Sequence, residues 1–267
     1  MIHLRSVSLK RASKEPDAFP FTVPIIRTLE QIEFTTPVTF FVGENGSGKS
    51  TLLEAIACAI GAVTVGSEGV DTDNTLAAVR RLGRAFKQTW SKRTHRGFFL
   101  RAEDFFGYAK AVSRQRAEAA AQIELIDKEY AGRSELAKRL AKSPHAGTVG
   151  DIQQRYGDGL DAQSHGESFL KLFQSRVVPD GLYLLDEPEV PLSPLRQLAL
   201  LALLKEMTAA RCQFIIATHS PILLALPEAQ ILSCDTCPLE AVRYEDLENV
   251  KLVRDFLNAP ERYLEQL

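Results

Sequence analysis

Residues Gly43, Glu44, Asn45, Gly46, Ser47, Gly48, Lys49 and Ser50 match the pattern G-x-x-x-x-G-K-[ST] in full, between the apolar run VTFFV and the helix-like STLLEAIACAIG. A strand, a glycine-rich loop and a helix start are the context that pattern requires. Glycines let the backbone N–H groups curl round phosphate oxygens, and the helix N-terminus, with Thr51 in its first turn, adds positive potential. Lys49 then reaches the β- and γ-phosphates and Ser50 holds Mg²⁺. A second segment, LYLLDEP, brings Asp186 and Glu187 to the end of an apolar run. Adjacent carboxylates at a strand end suit two tasks, Asp186 beside Mg²⁺ and Glu187 aligning or deprotonating a water. A third apolar run, FIIATHS, ends in His219. A histidine at the carboxyl end of a strand in the same sheet points into the ligand crevice.

The stretch AQSHGESFL gathers Ser164, His165, Gly166, Glu167 and Ser168. Ser168 could be read as a nucleophile, but the elbow pattern G-x-S-x-G lacks its second glycine, because Phe169 and Leu170 follow the serine. The competing reading is a polar turn that starts the helix GESFLKLFQSR, with Ser164 as N-cap and Glu167 three residues on, as in a capping box.

The elements that would position these groups can be read from periodicity. MIHLRSVSLK alternates as a half-buried strand, FTVPIIRTLEQIEFT and VTFFVG read as further strands, and residues 62–79 as a loop. From Tyr108 to Lys142 an Ala-, Arg-, Glu- and Lys-rich segment carries a broken apolar stripe (Val112, Ile123, Ile126, Tyr130, Leu136, Leu140), which predicts one or two amphipathic helices forming a lid. Alternating strands and helices imply an α/β core with a mostly parallel sheet.

Composition bounds the rest. The chain has 267 residues, 45% of them hydrophobic, as a globular domain does. No apolar run approaches the roughly 20 residues of a membrane helix, and the charged, alternating opening is unlike a signal peptide, so a cytoplasmic location is expected. Four cysteines (Cys58, Cys212, Cys234, Cys237) are too scattered for a disulfide framework, and CDTC supplies half a zinc site at most. The net charge of −2 conceals segregation: residues 80–142 carry 16 Lys and Arg against 7 Asp and Glu, a net +9 that leaves −11 elsewhere. The densest part, Arg80 to Arg101, interleaves Phe86, Trp90, Phe98 and Phe99. That mixture fits either a nucleic-acid surface or a solvated face with its aromatics turned into the core.

Taken together, GENGSGKS, QSHGE, LYLLDE and THS, in that order, resemble the ABC-type ATPases of the P-loop superfamily. Ser164 lies 22 residues before Asp186 and His219 lies 32 after Glu187, as the signature serine and switch histidine of that family do. FPFTVPII, FFLRAEDFF, SHGESFL and DEPEVPLSP draw the resemblance toward soluble bacterial AAA-like, SMC-like and OLD-like ATPases. Two departures stand in the signature, His165 for the usual glycine and Glu167 for the usual glutamine.

The resemblance implies one domain over 1–267: an N-terminal β subdomain with the phosphate loop (1–107), a helical lid insertion (108–163), and the signature, Walker B and switch part (164–267). It implies ATP and Mg²⁺ as cofactors, hydrolysis to ADP and phosphate, and an ATP-sandwich homodimer. In that dimer Ser164, His165, Gly166 and Glu167 would meet the γ-phosphate held by the other copy. Glu103, with Gln88 as the alternative, would take the Q-loop place, and Phe21 or Phe19 would stack on adenine. A partner receiving conformational work is implied, DNA-linked or defence-linked. A transporter's nucleotide-binding subunit is the alternative, opposed by Pro191-Leu192-Ser193 where transporter ATPases tend to read differently.

Overall fold

The computed structural model describes residues 1–10, 17–65, 70, 72–156 and 165–265. The first third of the chain contains β1 (Leu4–Leu9), α1 (Pro24–Thr28), β2 (Gln31–Glu33), β3 (Val38–Val42), α2 (Lys49–Ile60), α3 (Ala77–Ala85), β4 (Phe86–Trp90) and β5 (Gly97–Arg101). Two long helices follow, α4 (Ala102–Glu129) and α5 (Glu135–Tyr156). The remainder comprises α6 (His165–Arg176), β6 (Leu182–Asp186), α7 (Pro194–Ala209), β7 (Gln213–Ala217), α8 (Pro221–Leu224), β8 (Gln230–Ser233), β9 (Glu240–Ala241), α9 (Glu248–Asn258) and α10 (Glu261–Leu264).

The runs VTFFV, LYLLD and QFIIA form the middle of a six-stranded sheet of order β5-β6-β7-β3-β8-β9, parallel except for the β8/β9 edge. All five residues of each of these three strands are buried, which is why they read as continuous apolar runs rather than alternating ones. Their side chains nevertheless alternate between two cores. Phe40, Tyr183, Leu185, Phe214 and Ile216 face α4, α6 and α7, whereas Phe41, Leu184 and Ile215 face α2 and α3. A smaller antiparallel sheet, β2-β1-β4, closes the second core. The expected α/β class, with a mostly parallel sheet, an antiparallel β part and a helical part, is therefore the class observed.

Two expectations change. FTVPII is not a strand: Pro24 occupies the first helical turn of α1, where its missing N–H costs no bond, and Ile25 and Ile26 are both buried. Residues 77–79 of the expected loop already belong to α3.

The helices α4 and α5 run antiparallel, cross-linked by Arg116 to Gln153 (2.9 Å) and Lys142 to Asp127 (2.5 Å). At 28 residues α4 extends about 42 Å at 1.5 Å per residue. Only the base of this hairpin joins the core, through Phe105, Ala109, Val112, Ile152 and Tyr156, while Leu125, Leu136 and Leu140 of its outer part are exposed. At the base, Arg176 from the last turn of α6 donates to the hydroxyls of Tyr108 and Tyr156, which are themselves 3.0 Å apart. The predicted lid is thus a projecting arm tied to α6. No helix among the described residues is long and apolar enough to cross a membrane.

Gly97 opens β5 at φ +132, and a Cβ there would overlap the carbonyl oxygen of Leu182 on the paired strand β6. Gly97→Ala is expected to lower stability by about 2 to 3 kcal/mol through combined strain and overlap. A urea titration of the two proteins measures this, and equal midpoints would contradict it.

Candidate functional site

The functional groups converge at the carboxyl ends of β3, β7 and β6. The loop after β3 enters α2 through Gly48, which has φ +98, and a Cβ on it would sit 2.6 Å from Val23 Cγ1 and 2.9 Å from Ile25 Cγ2. Only glycine fits a left-handed turn pressed so closely against the start of α1. Lys49 begins α2 and is almost fully buried, its Nζ donating to the carbonyls of Gly43 (2.7 Å) and Glu44 (2.8 Å). Burial lowers its pKa, opposed by the charges of Glu187, Asp235 and Asp186. One residue on, Ser50 Oγ donates to Asp186 Oδ1 at 3.1 Å, joining the helix start to the end of β6 across 136 residues of sequence.

Asp186 is buried, and that burial pushes its carboxyl up to about 7, with Glu54 and Glu187 adding like charge and the Ser50 hydroxyl opposing. A hydroxyl and a buried carboxylate side by side form the hard-oxygen donor set that Mg²⁺ takes, and a dication is what this carboxylate needs to ionise readily. The residues present fit that ion.

Glu187 adopts φ +50, which bulky residues avoid at a cost on the order of 1–3 kcal/mol. Its N–H is held by the Ala217 carbonyl at 2.9 Å, so the left-handed turn is fixed by β7. The same strand end delivers His219, whose Nε2 lies 3.6 Å from Glu187 Oε1. That distance is too long for a hydrogen bond, and the buried Nε2 has no hydrogen-bond partner among the described residues. An orphaned ring nitrogen beside Glu187 suits an anionic oxygen arriving from the phosphate loop. Glu189 fixes the backbone here by accepting from the His219 N–H at 2.7 Å, and Asn249 Nδ2 donates to the His219 carbonyl at 3.1 Å.

The other expected positions divide. Glu103 stands in the first turn of α4, mostly exposed, 3.6 Å from Arg101 Nε, and its charge reaches Asp186. Gln88 instead donates to the Ala59 carbonyl. Phe21 is 3% exposed inside the second core, so it presents no face to a base; Phe19 is 52% exposed. Ser164 lies outside the described residues, and α6 begins at His165, with Gly166 and Glu167 in its first turn. Glu167 pairs with Arg196 of α7 at 3.6 Å. Ser168 is 1% exposed, which removes it from any substrate and ends the nucleophile reading.

Within the basic segment, Phe86, Phe98 and Phe99 are all core residues and Trp90 packs against the second core. Arg80 is spent on the Val70 and Asp73 carbonyls, and Arg101 on Asp73 (2.7 Å) and Asp104 (2.7 Å). Arg84, Lys87, Lys92 and Arg93 are exposed, as is Arg81, which donates to the Phe19 carbonyl at 3.2 Å.

Three participants escape a local reading of the sequence. Glu54, one turn after Ser50 on α2, has its carboxyl raised to about 7 by burial, with the Arg101 guanidinium at 3.4 Å opposing the rise. Asp235 of CDTC accepts the Glu44 N–H at 2.7 Å and so braces the phosphate loop. No group of three or more His, Cys, Asp and Glu that could hold a metal ion occurs among the described residues. Glu189 was in plain view as the last acid of DEPE, yet nothing local says that it holds His219.

Residues 23–147 match the family model described as AAA domain. No curated protein matches the chain. Among solved structures, the fold is similar to the Smc head domain of Pyrococcus furiosus bound to the C-terminal domain of ScpA (12% identity, 96% of this chain and 100% of that chain, TM-score 0.49). It is also similar to a nucleotide-free ATP-binding cassette from an ABC transporter (18% identity, 96% of each chain, TM-score 0.49) and to the SMC head domain from Thermotoga maritima (16% identity, 91% and 99%, TM-score 0.44).

Proposed function

We propose that the chain, whose residues 23–147 match the AAA domain model, is an ABC-type P-loop ATPase that binds ATP with Mg²⁺, hydrolyses it, and works as an ATP-closed homodimer. The observation that carries this reading is the meeting of three distant segments at one loop: Ser50 with Asp186 at 3.1 Å, and Glu187 with His219 at 3.6 Å, around the Lys49 end of α2. Ser50 and Asp186 would hold Mg²⁺, which when bound neutralises phosphate charge. Lys49 and the loop N–H groups bind the β- and γ-phosphates. Glu187 accepts a proton from water as its oxygen attacks the γ-phosphorus. The bond to the bridging oxygen breaks, giving ADP and phosphate. His219 Nε2 binds a γ-oxygen and orients it. Glu103, held near Arg101, is the Q-loop group that faces the metal side.

Ser164 and the N-terminus of α6 are reserved for the γ-phosphate on a second copy, where a helix end and a hydroxyl stabilise an anion. The whole 1–267 unit moves as an ATPase with an arm, and the link from Arg176 to Tyr108 and Tyr156 passes a displacement of α6 to α4 and α5. A nucleic-acid partner would meet Arg81, Arg84, Lys87, Lys92 and Arg93 by charge alone, because the aromatics of that stretch are core residues.

The test uses a Glu187→Gln background so that ATP persists. ATP should drive dimer formation in sedimentation velocity, and Ser164→Arg should abolish the dimer while single-chain ATP affinity stays close to that of the background. A dimer that survives Ser164→Arg would remove the sandwich from this reading.

A further inference from the structure

The Gly43–Glu44 peptide is clamped on both edges. Its carbonyl accepts from Lys49 Nζ at 2.7 Å, and its N–H, that of Glu44, donates to Asp235 Oδ1 at 2.7 Å. Asp235 is pressed against this peptide, since a Cβ on Gly43 would meet its Oδ1 at 2.8 Å. A peptide fixed on both edges cannot rotate, so Asp235 helps to hold the loop in the form that seats Lys49. That aspartate stands between two cysteines, in Cys234-Asp235-Thr236-Cys237.

These residues follow β8 in the connection 234–239, which is closed by the pairing of Ser233 with Glu240. Ser233 gathers them into a bend: its hydroxyl accepts from the Asp235 N–H at 3.3 Å and its carbonyl from Thr236 Oγ at 3.3 Å. A disulfide needs α-carbons about 4.4–6.8 Å apart, and a turn of four residues brings its ends to about 7 Å or less. The two thiols lie within electrostatic reach of each other and line the same cleft as Gly43–Ser47. They are not equivalent. Cys234 is 3% exposed, its N–H donates to the Val42 carbonyl at 2.7 Å, and burial pushes its thiol up to about 12 against the opposing charge of Lys49. Cys237 is exposed.

We propose that Cys234 and Cys237 are a peroxide-sensitive dithiol, and that joining them unlatches Asp235 from the phosphate loop. The inference rests on the phosphate-loop reading above. The exposed Cys237 sulfur attacks a peroxide oxygen, the O–O bond breaks, and a sulfenic acid and water result. The Cys234 sulfur then displaces the sulfenic hydroxyl, which leaves as water with the Cys234 proton as the S–S bond forms. Two thiols are oxidised to one disulfide, and one peroxide is reduced to two waters. Burial sets the order, because peroxide meets Cys237 before Cys234. Bringing the sulfurs to about 2.05 Å requires one of them to move. Cys234 is pinned to the end of β3 through Val42, so residues 235–237 shift and Asp235 goes with them. The Gly43–Glu44 peptide then keeps only its Lys49 edge.

In the test, reduced protein is treated with hydrogen peroxide and digested without reductant. The peptide that holds CDTC should lose two hydrogens. Calorimetry should show inorganic tripolyphosphate bound about ten- to a hundredfold more weakly, the effect of losing a hydrogen bond to a charged group, and dithiothreitol should restore it. Asp235→Ala should weaken the reduced protein to the same degree, and peroxide should weaken that variant no further. Cys237→Ser should bind as reduced wild type does, before and after peroxide. By reciprocity, saturating tripolyphosphate should raise the reduction potential of the pair in a glutathione buffer by about 30 to 60 mV, at about 30 mV for each tenfold. A sulfinic acid on Cys237 without the bond to Cys234, a disulfide between two chains, or an oxidised pair that binds tripolyphosphate as tightly as the reduced one overturns the switch and leaves the phosphate loop standing. Reduced wild-type protein that does not bind tripolyphosphate overturns the phosphate-loop reading, and the switch with it.

Discussion

Glu187→Gln should lower ATP turnover by about 10²- to 10⁴-fold, the range for losing a positioned general base, while leaving ATP affinity nearly unchanged. The amide keeps the volume of the carboxylate and can still hydrogen-bond a water, but it cannot take the proton. The site makes the effect specific to this residue. Glu187 is locked at φ +50 by the bond from its N–H to Ala217, so its side chain leaves β6 in one direction. Both alternative bases are placed less well: Glu103 is 76% exposed and drawn to Arg101, and His219 is oriented through Glu189 and Asn249 with Nε2 toward Glu187. Phosphate release under saturating ATP, read beside equilibrium binding of the same variant, separates chemistry from affinity. Turnover within a few fold of wild type would move the base to Glu103 or His219, and Glu103→Gln would then become the informative protein.

What could be read from the sequence was what lies within one strand–loop–helix segment or at the end of an apolar run. The phosphate loop is local, and the all-buried strands β3, β6 and β7 announce themselves as apolar runs whose last residues must face the crevice. Asp186, Glu187 and His219 could be read as crevice residues for that reason. Residues that act across the sheet were not legible. Asp235 braces Glu44 from 191 residues away, and Gln213 joins β1 to β7 by accepting from the His3 and Leu4 N–H groups at 2.8 Å each. Neither stands in a pattern, because their partners are backbone groups brought near only by folding. Aromatics misled for a different cause. Phe86, Phe98 and Phe99 sit among lysines and arginines in sequence, yet a strand sends alternate side chains to opposite faces, and the two buried faces of β5 take its phenylalanines. Phe21 met the same fate once Pro24 turned the expected strand into α1 and folded that segment over the second core.

Lys49→Ala should reduce affinity for ATP and for inorganic tripolyphosphate alike, by about 30- to 4000-fold. Losing one member of a buried, hydrogen-bonded charge pair costs about 2–5 kcal/mol, and tenfold in affinity is about 1.4 kcal/mol. Lys49 is 4% exposed and its Nζ rests on two carbonyls of its own loop, so its charge is already largely desolvated. Burial lowers its pKa, and a bound polyanion would favour the charged form. Alanine removes the charge and leaves the Gly43 and Glu44 carbonyls facing the phosphate oxygens without a cation between them, so repulsion adds to the lost attraction. Because the effect is on the phosphates, the nucleoside cannot rescue it. Calorimetric titration of both ligands, with thermal unfolding to show that the variant is folded, measures the pair. Wild-type affinity for tripolyphosphate in a folded Lys49→Ala protein would place the phosphates somewhere other than this loop.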